Sequence, residues 1–123
     1  MAESSKVFPP EERLRKRREF LRVYERGAKV KTRLFFIYLL ENDLPHSRLG
    51  VTVSRKVGKT VVRNQLKRRF REVFRKNKRL VSPPSDLVIN TSAVTATAPF
   101  ALLEEEFRKV FLSKDRVKDK CAQ

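Results

Sequence analysis

From Val62 onward, apolar residues recur at helical spacing. At about 100° per residue, Val62, Leu66, Phe70, Val73 and Leu80 fall within one quadrant, and Phe74 widens it. The opposite arc carries Lys67, Arg68, Arg71 and Arg75, with the neutral Asn64 among them. The pattern predicts a helix starting near Val61, about 25 Å long, with one buried and one cationic face. Just before it, Arg55-Lys56-Val57-Gly58-Lys59 forms a basic loop able to aim further charge the same way.

The other elements follow from the same patterning. Residues 1–12 read as a loose lead-in, since Pro9-Pro10 opposes a helix. Phe20, Val23 and Tyr24 predict a short helix over 17–26, with Gly27 as its C′ stop. The run 34–40 reads as a strand buried on both faces, Phe36 and Tyr38 pointing one way and Phe35 and Ile37 the other. The alternating 48–54 segment predicts a second strand, joined to the first as a hairpin or meander. There is room for a further strand around 29–33. Asp86 to Thr91 is another strand, and 92–98 is ambiguous. Pro99 suits the first turn of a last helix with Phe100, Leu103, Phe107, Val110 and Phe111 on its apolar face. The tail 113–123 reads as polar and frayed. Strands on either side of the basic helix suggest a βαβ unit in a small α/β (α+β) fold, one domain spanning 13–112.

Composition narrows the function. The 123-residue chain carries a formal net charge of +16, with 40% hydrophobic and 36% charged residues. Such an excess points to a polyanionic partner. Nucleic acid is favoured over an anionic membrane, because Trp is absent and the charge spreads over several elements. No apolar run approaches the ~20 residues that span a bilayer. The N-terminus lacks a signal-peptide core, and the single Cys121 cannot form an internal disulfide, so a reduced, cytoplasmic setting is expected.

No self-sufficient active site emerges. His46 is the only histidine and reads as a solvated loop residue, and Cys121 as an inert tail thiol. Glu104, Glu105 and Glu106 diverge by about 100° per step, so they read as a solvated helix start rather than a Mg2+ site. Val57-Gly58-Lys59-Thr60 lacks the upstream glycine of a P-loop. No catalytic side chain and no metal ligand set is therefore assigned.

Polyanion binding then has two parts. Cations along the helix would displace condensed counterions from phosphates, whereas Asn64 can both donate and accept, as reading a base edge or a 2′-hydroxyl requires. Phe20 and Tyr24 share a helix face, and Phe36 and Tyr38 a strand face. Packed together they would make a platform for splayed bases, although spacing alone favours ordinary core packing. Phe35, Ile37, Phe70, Phe107 and Phe111 read as core.

Lys56-Val57-Gly58, Val61-Val62-Arg63-Asn64-Gln65-Leu66-Lys67-Arg68 and Arg71-Glu72 closely resemble the signature of the bacterial ribonuclease P protein subunit. Arg13-Leu14, Glu19-Phe20, Val23-Tyr24, Gly27, the run 33–40 and Leu49 to Ser54 extend the resemblance over roughly 13–112. The resemblance implies an αβββαβα-type sandwich with a left-handed βαβ crossover, where general preference would predict a right-handed one. It implies the protein subunit of an endoribonuclease whose RNA, with Mg2+, removes the 5′ leader of precursor tRNA. The partners would be that catalytic RNA and precursor tRNA, with no obligate protein partner. It places RNA-subunit contacts on Arg55, Lys56, Lys59, Arg63, Asn64, Lys67, Arg68 and Arg71, and leader contacts on Arg13, Phe20, Tyr24, Phe36 and Tyr38. The chain departs from the pattern at Gln65, where the second Arg belongs. Lys59-Thr60 also replaces Asn-Ala, leaving Thr60 to cap the helix. A non-catalytic ribosomal or chaperone-like RNA-binding protein is the alternative; a DNA reader is a more distant one, lacking a compact helix-turn-helix pattern.

Overall fold

The computed structural model describes residues 12–112. The expectations for 1–11, for the tail 113–123 and for Cys121 lie outside them. In chain order the elements are α1 (Arg17–Arg26), β1 (Ala28–Lys31), β2 (Phe35–Glu41), β3 (Arg48–Thr52), α2 (Thr60–Lys76), β4 (Ser85–Thr91), α3 (Ala93–Thr97) and α4 (Phe100–Leu112). Short 3-10 turns at Arg55–Val57 and Lys78–Leu80 flank α2. The 92–98 segment left ambiguous by its pattern is thus mostly helical.

The strands form one sheet in the order β1-β2-β4-β3. β1 and β4 both run antiparallel to β2, and β3 runs parallel to β4. The expected hairpin between β2 and β3 does not form, because β4 lies between them. The reason is apolar area. Leu87, Val88 and Ile89 are all fully buried, so this strand must be covered on both faces and takes a central place. β3 and β4 flank α2 as the expected βαβ unit.

One face of the sheet carries the main core. Leu66, Phe70, Val73 and Phe74 of α2 and Leu103, Phe107 and Val110 of α4 pack on Phe35, Ile37, Leu87 and Ile89. α2 ends at Lys76, so Leu80 lies beyond the helix rather than on its apolar face. Its N-cap is Lys59 and no side chain caps it; the Thr60 hydroxyl instead accepts a hydrogen bond from Arg63 Nη2 at 2.9 Å. The acidic run of α4 is not a purely solvated start. Glu106 is 3% exposed and pairs with Arg33 Nε at 3.2 Å, and Glu104 accepts from Asn77 Nδ2 at 3.0 Å. Only Glu105 stays exposed.

The opposite face is partly covered by α1 and the segment before it: Leu14 with Val23, Phe20 and Tyr24 of α1 pack with Val88, Tyr38 and Leu40. Two glycines permit this close seat. A Cβ at Gly50 would stand 2.6 Å from the Phe20 ring, and one at Gly27 would stand 2.5 Å from the Val23 carbonyl oxygen and 2.8 Å from that of Leu39. Gly27 closes α1 with φ −80°, in extended rather than left-handed conformation. Close approach, not a left-handed turn, is what selects glycine there.

Candidate nucleic-acid interface

The N-terminal end of α1 is held by a polar clamp. Arg48 on β3 donates from Nε and Nη2 to Asp86 at 2.9 and 2.7 Å, and from Nη1 to Glu19 at 3.1 Å. Glu19 also accepts the backbone N–H groups of Arg15 and Lys16, each at 3.1 Å, which supplies the helix start with the acceptor that Arg17-Arg18 cannot. Asn42 Nδ2 adds a bond to Asp86 at 2.7 Å. Burial alone would raise the Glu19 carboxyl; the two N–H donors and the Arg48 guanidinium outweigh it and hold the group below its ordinary 4.5.

A depressed carboxylate stabilises the fold fully above its unfolded value and loses that contribution as pH falls through the folded one. Urea unfolding between about pH 6 and pH 3 should therefore show a shallower acid loss for Glu19→Gln than for the unaltered chain. Parallel curves would remove Glu19 from this role.

Where α1 packs on the sheet, Phe20, Tyr24 and Tyr38 cluster together on a partly exposed face. Tyr24 and Tyr38 meet edge to face, with ring centroids 4.8 Å apart. Phe20, Tyr24, Tyr38 and Phe36 are all partly exposed. Phe20, Tyr24 and Tyr38 pack against the cluster under α1 without being fully buried. Phe36 stands further along β2, outside the cluster under α1. There the Lys29 ammonium lies 4.5 Å from its ring centroid and 5.8 Å from that of Tyr38.

The cationic surface is separate but adjoining. Arg55, Lys56, Lys59, Arg63, Lys67, Arg68 and Arg71 have no carboxylate within salt-bridge distance among the described residues. Arg75, on the same arc, is instead tied to Glu72, which raises its guanidinium above the ordinary value. The first turn of α2 holds no acid, so the helix dipole adds to the positive potential at that end. Arg63 Nε is shielded from solvent and has no hydrogen-bond partner among the described residues, and Asn64 is exposed.

Arg13 links the two surfaces. It bridges to Leu49 in parallel register, and Leu14 N–H donates to the Leu49 carbonyl at 3.0 Å. The Arg71 guanidinium is lowered from its ordinary value, first by burial and then by the neighbouring Arg13 cation. A residue expected in the cleft thus borders one expected on the helix.

A protein-family model described as Ribonuclease P matches residues 8–115. The chain belongs to the ribonuclease P protein family. It is 40% identical over 103 residues to the ribonuclease P protein component of Thermotoga maritima, covering 84% of this chain and 81% of that one. To the ribonuclease P protein component of Syntrophobacter fumaroxidans it is 38% identical over 112 residues, covering 90% and 94%. Among solved structures, the RNase P protein from Thermotoga maritima matches with a TM-score of 0.74 at 34% identity, covering 81% of this chain and 94% of that one. The Staphylococcus aureus RNase P protein matches at 0.75 and 28%, covering 86% and 97%. No helix among the described residues is long and apolar enough to cross a membrane.

Patterning missed three features of this chain. Lys29 enters the aromatic strip because β1 pairs in a register that puts it opposite Tyr38. Asn90 meets Tyr24 because β4 is central, opposite both Phe36 and Thr52. The Arg48–Asp86 pair follows from the same parallel register. Each depends on a strand order that local sequence did not give.

Proposed function

We propose that α2 and the basic loop before it hold the RNA subunit, and that the cleft between α1 and the sheet holds the single-stranded 5′ leader of precursor tRNA. The observation that carries this reading is the run of cations from Arg55 to Arg71 without described carboxylate partners, set beside partly exposed aromatic rings. Fixed cations without internal partners repel one another and gain from phosphates that replace condensed counterions. Arg55, Lys56, Lys59, Arg63, Lys67, Arg68 and Arg71 take the phosphates, and Asn64 meets a base edge or 2′-hydroxyl. Phe20, Tyr24, Phe36 and Tyr38 stack leader bases, and Arg13 stands at the junction.

Leader cleavage belongs in this reading to the RNA with Mg2+. The protein contributes by holding the leader extended beside the RNA, which reduces the orientational freedom lost at the reacting phosphodiester.

Reconstitution tests both halves. Adding the chain to a bacterial ribonuclease P RNA, precursor tRNA and Mg2+ at modest salt should increase 5′-leader cleavage; an unchanged rate would end this reading. Phe20→Ala with Tyr24→Ala should weaken binding of leader-bearing tRNA about tenfold or more, from the lost stacking of one or two bases, with little change for mature tRNA. Equal losses on both substrates would reduce these rings to core.

A further inference from the structure

A chain of hydrogen bonds runs from β3 through α1 to β4. Tyr24 Oη donates to Asn90 Oδ1 at 2.7 Å and lies 3.1 Å from Thr52 Oγ1. A phenol has one proton. Once it is given to Asn90, the Thr52 hydroxyl must be the donor to Tyr24. The order is therefore Thr52 to Tyr24 to Asn90, and successive donors polarise each other. In this arrangement the Asn90 carboxamide turns its oxygen toward α1 and its NH2 group away from it. That NH2 group has no partner among the described residues. Asn90 is only partly buried, is opposite Phe36 in the β2–β4 register and opposite the exposed Thr52 in the β3–β4 register. A polarised, pre-oriented donor thus sits on the α1 side of the sheet, opposite an aromatic residue.

We infer that Asn90 is a specificity-determining residue, donating from Nδ2 to a carbonyl oxygen on the edge of the leader base stacked near Phe36. The inference rests on the leader reading of the cleft. At such an edge uracil and guanine present a carbonyl where cytosine and adenine present an amino group. With its oxygen directed to Tyr24, the carboxamide offers mainly donors, so it favours the carbonyl bases. Tyr24 acts through Asn90 as a positioning residue in addition to stacking.

The test uses holoenzyme reconstituted from the chain and a bacterial ribonuclease P RNA, with precursor tRNAs differing at one leader position at a time. The unaltered chain should prefer U or G over C or A about fivefold at one position, the size expected of one hydrogen bond. Asn90→Leu should abolish that preference by losing affinity only for the carbonyl bases, and Tyr24→Phe should reduce it while leaving the ring. Asn90→Asp keeps the shape but only accepts, and should invert the order in favour of the amino bases. Retention of the original preference in Asn90→Leu and Asn90→Asp would overturn the inference. So would a loss equal for all leader bases, which marks a phosphate contact, or a loss shared with leaderless tRNA, which marks a structural role. If the unaltered chain gives no gain for leader-bearing over leaderless tRNA, the leader reading itself fails, whatever the Asn90 variants do.

Discussion

Replacing Arg68 and Arg71 by Glu should weaken binding of the RNA subunit more than any other pair of changes on this surface. Each reversal removes a cation that has no described carboxylate partner and sets an anion against phosphate. Loss of one phosphate contact reduces the slope of log K against log salt by about one. The double variant should therefore show a slope shallower by about two and an affinity lower by about 100-fold at modest salt. The two sites should not be equal. Arg68 is exposed, so its loss should act mainly through charge. Arg71 is partly buried beside Arg13, so Arg71→Glu also places a carboxylate next to that cation. Arg71→Glu alone should then gain an internal ion pair and keep the fold intact. A binding titration across salt concentrations checks this, and an unaltered slope would remove both residues from the docking surface.

The largest effect on stability should come from Arg48→Ala. The side chain is 19% exposed and its partner Asp86 only 5%. Truncation leaves a buried carboxylate held by Asn42 and frees Glu19 from the sheet. Breaking a pair of this kind costs about 3 kcal/mol, a large share of the total for a domain of this size. Arg48→Met with Asp86→Leu removes both charges and should restore much of the loss, since apolar replacement of a buried pair is near neutral. Denaturant unfolding of both variants decides between them. If the single and double variants were equally unstable, packing of the Arg48 stem rather than the charge would be responsible.

Much of the cationic surface was legible in the sequence because it is local. Helical periodicity in one continuous segment separates Leu66, Phe70 and Val73 from Lys67, Arg68 and Arg71 without knowledge of any other strand. The cleft was half legible: Phe20 with Tyr24 and Phe36 with Tyr38 follow from spacing within single elements. What joins them does not. The hairpin expected between β2 and β3 came from their proximity in sequence, and it lost to the need of Leu87, Val88 and Ile89 for cover on both faces. That uninterrupted apolar run was the available signal for a central strand. The buried Glu106 gives the complementary lesson. Three successive acids look like a solvated helix start, and one of them faces Arg33 only because α4 packs across the sheet.

The central position of β4 also bears on how the molecule is made. A chain leaving the ribosome presents α1, β1, β2, β3 and then the whole of α2, with its cations, before residues 85–91 appear. Until then β2 and β3 have no shared neighbour, and Arg48 has no Asp86. Pairings across some 50 residues of sequence, as between Phe35 and Thr91, form late because their loop-closure cost comes first. The nascent polypeptide therefore carries its most basic segment, in an environment dense with RNA, before the central strand that holds the sheet together exists.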